Sequence, residues 1–158
     1  MKLRVLAPLL LASLLAAGWG LSRLPVRVLE FANTDNGRVS RLLVGADAAF
    51  VVTYQHSIYG APVAEEFALD PDDSIVLTAV QSASGAVLEY FGFTDGAERQ
   101  PMERHLDGVV FRIAAGEPQR ITVGSRDLSF LEFGEHGDRL AVAVSRIPLA
   151  RALLGAIN

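Results

Sequence analysis

From residue 26 onward, short stretches rich in Val, Ile, Phe and Tyr recur about every 8–14 residues, and pairs of turn-forming residues separate them. The stretches are 26–31, 38–44, 50–56, 63–69, 75–80, 87–93, 109–113, 120–123, 127–133 and 139–145. Asn36-Gly37 is a strong hairpin pair, because both residues tolerate positive φ. Asp70-Pro71-Asp72-Asp73, Asp95-Gly96, Asp107-Gly108 and Glu135-His136-Gly137-Asp138 punctuate the rest, and a longer polar segment, 97–107, divides the chain into halves. The pattern predicts an all-β domain, an antiparallel sandwich or small barrel of about nine or ten short strands. Tyr90, Phe91 and Phe93 have strand spacing and read as core.

Both ends depart from this pattern. Near the C-terminus, Leu149, Leu153 and Ile157 fall on one helical face with Leu154 beside it, after Pro148, which suits a first helical turn. A short helix packed on the sheet is expected there; the alternative is a contact helix for a membrane or membrane partner. At the N-terminus, basic Met1-Lys2-Leu3-Arg4 precedes residues 5–17, apolar except for Ser13, and then small residues at Ala16, Ala17 and Gly18. Residues 1–21 thus read as a secretory signal or a membrane anchor helix, and 22–158 as a single β domain opening with a linker over 22–25. Lys2, the sole lysine, sits where it would set orientation.

Composition narrows the function classes. The chain has no cysteine, which excludes disulfides, thiolate zinc sites and a lipid on a cysteine after the signal. An exported domain of this kind rests on its hydrophobic core. Its formal charge is −4, and loss of Lys2 and Arg4 with the signal makes it −6. An acidic domain with scattered arginines suits neither nucleic acid nor an anionic lipid surface. The localisation expected is extracytoplasmic, in the periplasm or beyond, with membrane contact through the N-terminal segment if it stays uncleaved.

The candidate chemistry lies in YQHSIYGAPVAEEF, residues 54–67. Alternate residues of a strand share a face, so Phe50, Val52, Tyr54 and His56 form one set, and Val63, Glu65, Phe67 and Leu69 another. A hairpin with its loop over 57–62 pairs His56 with Val63, Tyr54 with Glu65, Val52 with Phe67 and Phe50 with Leu69. Glu65 then lies among apolar neighbours, and a bare carboxylate there costs several kcal/mol. The expected outcome is a Tyr54–His56–Glu65 polar cluster on or near the inner face, with Glu66 opposite Thr53 and solvated. The cluster has three open readings: a satisfied structural network, a small-ligand or ion site reached by His56, Ser57 and Tyr59 from the loop, or catalysis. Catalysis is disfavoured because His56 and Ser57 point to opposite faces, as do Glu65 and Glu66. His105 lies in the polar connection and His136 in a turn, without ligand spacing to His56, and the 70–73 acidic cluster lacks a calcium loop's spacing. No metal or cofactor is expected, and the protein reads as non-enzymatic.

Tyr54-x-His56-Ser57 followed by Pro62-Val63-x-Glu65-x-Phe67 resembles a family of small exported bacterial proteins of unknown function. Members of that family look like companions of TRAP transporters that use TAXI-type binding proteins and fused permeases. A second segment of the family is matched at Ser84, Gly85 and Ala86, while Val87 and Glu89 depart from it. The resemblance covers roughly residues 26–95. It implies an extracytoplasmic accessory domain that docks on a TRAP permease or TAXI-type solute-binding protein and assists uptake of a small organic anion. The alternative is a free-standing periplasmic ligand-binding or hydrolytic domain with its site around His56 and Glu65.

Overall fold

In the computed structural model, residues 18–154 are described, except Asp95 and Glu117. Residues 18–22 are helical. Then come β1 (Pro25–Asn33), β2 (Val39–Leu43), β3 (Ala49–Gln55), β4 (Pro62–Leu69), β5 (Ile75–Gln81), α1 (Gly85–Tyr90), β6 (Arg99–Leu106), β7 (Val109–Arg112), β8 (Arg120–Val123), β9 (Arg126–Ser129), a 3-10 turn (Phe130–Glu132), β10 (Arg139–Pro148) and α2 (Leu149–Leu154). The strands form two open antiparallel sheets, β2-β1-β10-β7 and β6-β5-β4-β3-β8-β9. Neither sheet closes on itself, so of the two architectures expected the structure is the sandwich.

Strand alternation builds the core. Leu29, Phe31, Leu140 and Val142 of the smaller sheet meet Phe50, Val52, Phe67, Ile75, Val80 and Ile121 of the larger one in a single buried cluster. Each such side chain contributes roughly 1.5–3 kcal/mol on leaving water. Phe31 stacks on Phe133 and Phe50 on Phe67, at 4.5 and 4.7 Å between centroids. β5 carries a bulge at Thr78, whose hydroxyl donates to the Glu66 carbonyl at 3.1 Å. Its parity therefore switches, with Ile75 and Leu77 inward before the bulge and Val80 inward after it. Asn33, buried at the end of β1, locks a corner. Its Nδ2 donates to Asp138 Oδ2 at 2.7 Å, and its Oδ1 accepts from the backbone N–H groups of Asp35 and Asn36. The β1–β2 hairpin turns at Asn36-Gly37 as expected, but only Gly37 takes positive φ (+75), and the loop spans 34–37, closed by the Asn33 N–H on the Arg38 carbonyl.

Three expectations are corrected. Residues 87–93 are not a strand: Val87–Tyr90 complete α1, which Gly92 (φ +93) ends. The Gly92 N–H donates to the Glu89 carbonyl and the Phe93 N–H to the Leu88 carbonyl, the paired bonds of a helix-terminating turn. The polar segment is not a connection: most of it is edge strand β6, where charged side chains and Pro101 face outward and need no apolar alternation. In α2 the residue that packs on Val28 and Ile147 is Ala152, whereas Leu153 and Leu154 are 67% and 90% exposed; Ile157 lies outside the described residues.

The sandwich has two poles. β1 begins opposite the end of β10, Pro25 facing Pro148, and Leu149 N–H donates to the Leu24 carbonyl. The β4–β5 turn lies at this pole: Arg27 reaches Asp73 at 2.9 Å and the Asp70 carbonyl, and Arg146 reaches Asp73 at 2.6 Å. The expected solvated turn at 70–73 is therefore tied to the other sheet by two arginines, with Asp73 at φ 72. Trp19, Leu21, Leu24, Leu153 and Leu154 are exposed in the segments that leave this pole. The tip of the β3–β4 hairpin lies at the opposite one.

Candidate functional site

The hairpin closes more tightly than the symmetric loop expected. His56 N–H donates to the Ala61 carbonyl at 2.9 Å, and Gly60 N–H to the His56 carbonyl at 2.8 Å, with Gly60 at φ +60. A four-residue loop, 57–60, replaces the expected six-residue one. The register therefore moves by two: Tyr54 faces Val63, Val52 faces Glu65 and Phe50 faces Phe67. A two-residue slip keeps every side chain on its expected face but changes its neighbours.

Glu65 is inward, between Val52 on β3 and Val80 on β5. Tyr54 is now its diagonal neighbour rather than its opposite one, and its hydroxyl donates to Glu65 Oε1 at 2.7 Å. Burial pushes the Glu65 carboxyl above its ordinary value, and the Tyr54 bond only partly offsets this. Burial first, and then the charge of Glu65, push the Tyr54 phenol up as well. Glu66 is corrected twice: it faces Val51, and Arg99 holds it by two bonds of 2.8 and 2.6 Å, which keeps its carboxyl below the ordinary range.

His56 does not join Tyr54 and Glu65. It is 6% exposed and sits in an aromatic cage, 5.2 Å from the Tyr59 ring, 4.8 Å from Tyr90 edge-on and 6.5 Å from Phe91. Its Nδ1 accepts from the Ile58 N–H at 3.4 Å, which assigns the ring proton of the neutral tautomer to Nε2. Nε2 has no hydrogen-bond partner among the described residues. The expected three-residue cluster is therefore two sites: a closed phenol–carboxyl pair inside the sheet, and an imidazole held by the loop and α1. Ser57 is exposed in the loop, and no bond among the described residues joins its hydroxyl to an imidazole.

Beside His56 lies a cavity of about 380 Å³, lined by Tyr54, Gln55, His56, Ser57, Tyr90, Phe91, Arg112, Ala114 and Gln119. A second hollow, of about 440 Å³, runs past Thr53, Gln55, Ala64 and Gln81; the Ser82 hydroxyl there is committed to the Pro62 carbonyl at 2.8 Å. Arg112 and Gln119 carry no local sign in the sequence, because the fold brings them in from the far half of the chain. Tyr90 and Phe91 would have been legible from Ser84 and Gly92, the residues that bracket α1. Among the described residues, no group of three or more histidine, aspartate or glutamate side chains gathers as a metal site. His105 lies by Asp70 and Glu103, and His136 Nδ1 is 2.7 Å from the Ala114 carbonyl.

Fold and site together define an all-β sandwich with an aromatic-walled hollow at one pole. Comparison with family models, with curated proteins and with solved structures gives no match.

Proposed function

We propose that this chain is a non-catalytic, extracytoplasmic accessory domain that docks on a protein partner through the tip of the β3–β4 hairpin. One observation carries the reading. Ile58, Tyr59 and Tyr90 are 69%, 46% and 61% exposed at one pole, and the buried His56 ring braces the two tyrosines from behind. Large, rigid aromatic side chains held in a fixed arrangement are what protein interfaces use as anchors, since little rotamer freedom is lost on contact. The transport setting rests on the motif resemblance, which spans this same hairpin and makes the partner a TAXI-type solute-binding protein or a fused TRAP permease. The extracytoplasmic setting rests on the N-terminal basic and apolar run. Among the described residues no helix is long and apolar enough to cross a membrane.

Co-purification of the full chain with a TAXI-type binding protein and its fused permease tests this reading. The expected result is a complex that Ile58→Asp with Tyr59→Ser abolishes while the melting temperature holds. A complex indifferent to both substitutions, or no complex with either partner, would overturn it.

A further inference from the structure

The cavity behind the tip has a chemical bias that follows from which hydrogen-bonding atoms are already in use. Gln119 Oε1 accepts from the Ala114 N–H at 2.8 Å, so its side chain has only amide N–H left to offer. His56 Nδ1 is taken by the Ile58 N–H, which leaves Nε2–H. The Tyr54 proton is spent on Glu65. Arg112 donates Nη1–H to the Gly137 carbonyl at 2.9 Å, and the rest of its guanidinium has no hydrogen-bond partner among the described residues. Its β10 neighbour Arg139 is committed to Asp35, at 2.8 Å. The Ser57 and Tyr90 hydroxyls and the Gln55 amide, which also line the hollow, can accept as well as donate; the side-chain nitrogens of Arg112, Gln119 and His56 have only N–H left to give, and Arg112 brings a full positive charge. The Tyr90 and Phe91 rings supply the apolar wall, 5.8 Å apart and nearly perpendicular.

His56 is more than nine-tenths buried, and its Nε2 has no hydrogen-bond partner among the described residues. A ligand that supplies acceptors and a flat apolar body would satisfy the whole set. From this we infer that the cavity is a binding site for a small carboxylate bearing an aromatic or planar apolar group. The carboxylate lies toward Arg112, Gln119 and His56 Nε2–H, and the flat body lies against Tyr90 and Phe91. The inference goes beyond the docking role and stands without it, because it concerns the hollow, which shares only Tyr90 with the exposed anchors.

Benzoate is the probe, with benzyl alcohol and acetate as controls that lack the charge or the ring. Calorimetric titration of the full-length protein at neutral pH should show saturable 1:1 binding of benzoate, with both controls weaker by about tenfold or more, the worth of one charged hydrogen bond or of the ring's burial. In histidine-selective NMR the His56 ring resonances should move along the same isotherm. Arg112→Gln should weaken benzoate by about tenfold and leave benzyl alcohol where it was. Tyr90→Ala should weaken benzoate and benzyl alcohol together. Absence of saturable benzoate binding, equal affinity for benzoate and benzyl alcohol, or benzoate binding untouched by both substitutions would each overturn the assignment. Co-purification with the transport partners is read separately, so a lost complex with intact benzoate binding refutes docking alone.

Discussion

At the scale of single residues, Tyr54 and Glu65 form the pair most exposed to test. Tyr54→Phe removes the only hydrogen-bond donor to Glu65 among the described residues and should destabilise the fold by about 1–3 kcal/mol. It should also push the Glu65 carboxyl higher still, because the bond that restrains it is gone. Glu65→Gln keeps an acceptor for the phenol and removes the charge. A carboxyl whose folded value is raised favours the native state most when protonated. That contribution is complete below the unfolded value near 4.5 and is lost as pH rises through the folded value. The stability of Glu65→Gln relative to the parent should therefore be lowest in acid and climb toward neutral pH, as urea melts over that range would show. The face on which these residues lie was legible from strand parity alone. Their partnership was legible too, because Tyr54 is the donor within reach on that face. His56 was misplaced because the turn between the strands is shorter than symmetric counting allows, and the slip moves it from the carboxylate to the aromatic rings of the loop and α1.

At the scale of elements, the alternation that defines strands was readable wherever a strand packs on both sides, and failed in two places for opposite reasons. α1 carries Val87 and Tyr90, residues that favour strands, with Phe91 just after it, and its clearest helix signals are at its ends: Ser84 before it and Gly92 after it. Tertiary packing of Val87 and Leu88 overrides local preference. β6 is charged because it is an edge, so its sequence says little about pairing. The corner that joins β1, β10 and the 133–138 turn is held by Asn33, and it fixes the residue at 134. A Cβ there would collide with Asn33 Nδ2 and lie 2.8 Å from Asp138 Oδ2. Gly134→Ala should cost about 1–3 kcal/mol through displacement of that buried amide, with a matching fall in the urea midpoint. Gly45→Ala, which meets open space, is the control expected to stay near the parent.

For the molecule as a whole, charge pairs stitch the surface across nearby strands and turns, and one of them, Arg146–Asp73, joins the two sheets. Asp35, Glu66, Asp73 and Asp127 are held below their ordinary values chiefly by hydrogen bonds from Arg139, Arg99, Arg146 and Arg120. Depressed carboxyls support the fold above their unfolded values, 3.8 for aspartate and 4.5 for glutamate, and lose that support as pH falls through the folded ones. The melting temperature should therefore drop as the pH is lowered past about 4, and by less in about 0.5 M salt, where exposed pairs are screened in both states. Glu65 runs against this trend and softens it.

The meeting of Pro25 with Pro148 reaches beyond stability. β1 begins and β10 ends at the same pole, and seven residues of β3 at about 3.3 Å each set the hairpin crown some 20 Å or more from it. A chain moored to a bilayer by its leading segment would hold its aromatic crown aloft like a berth at the end of a jetty. In that setting a freely diffusing solute carrier would meet the crown first, and a permease lying flat in the membrane would have to be reached by bending over the mooring.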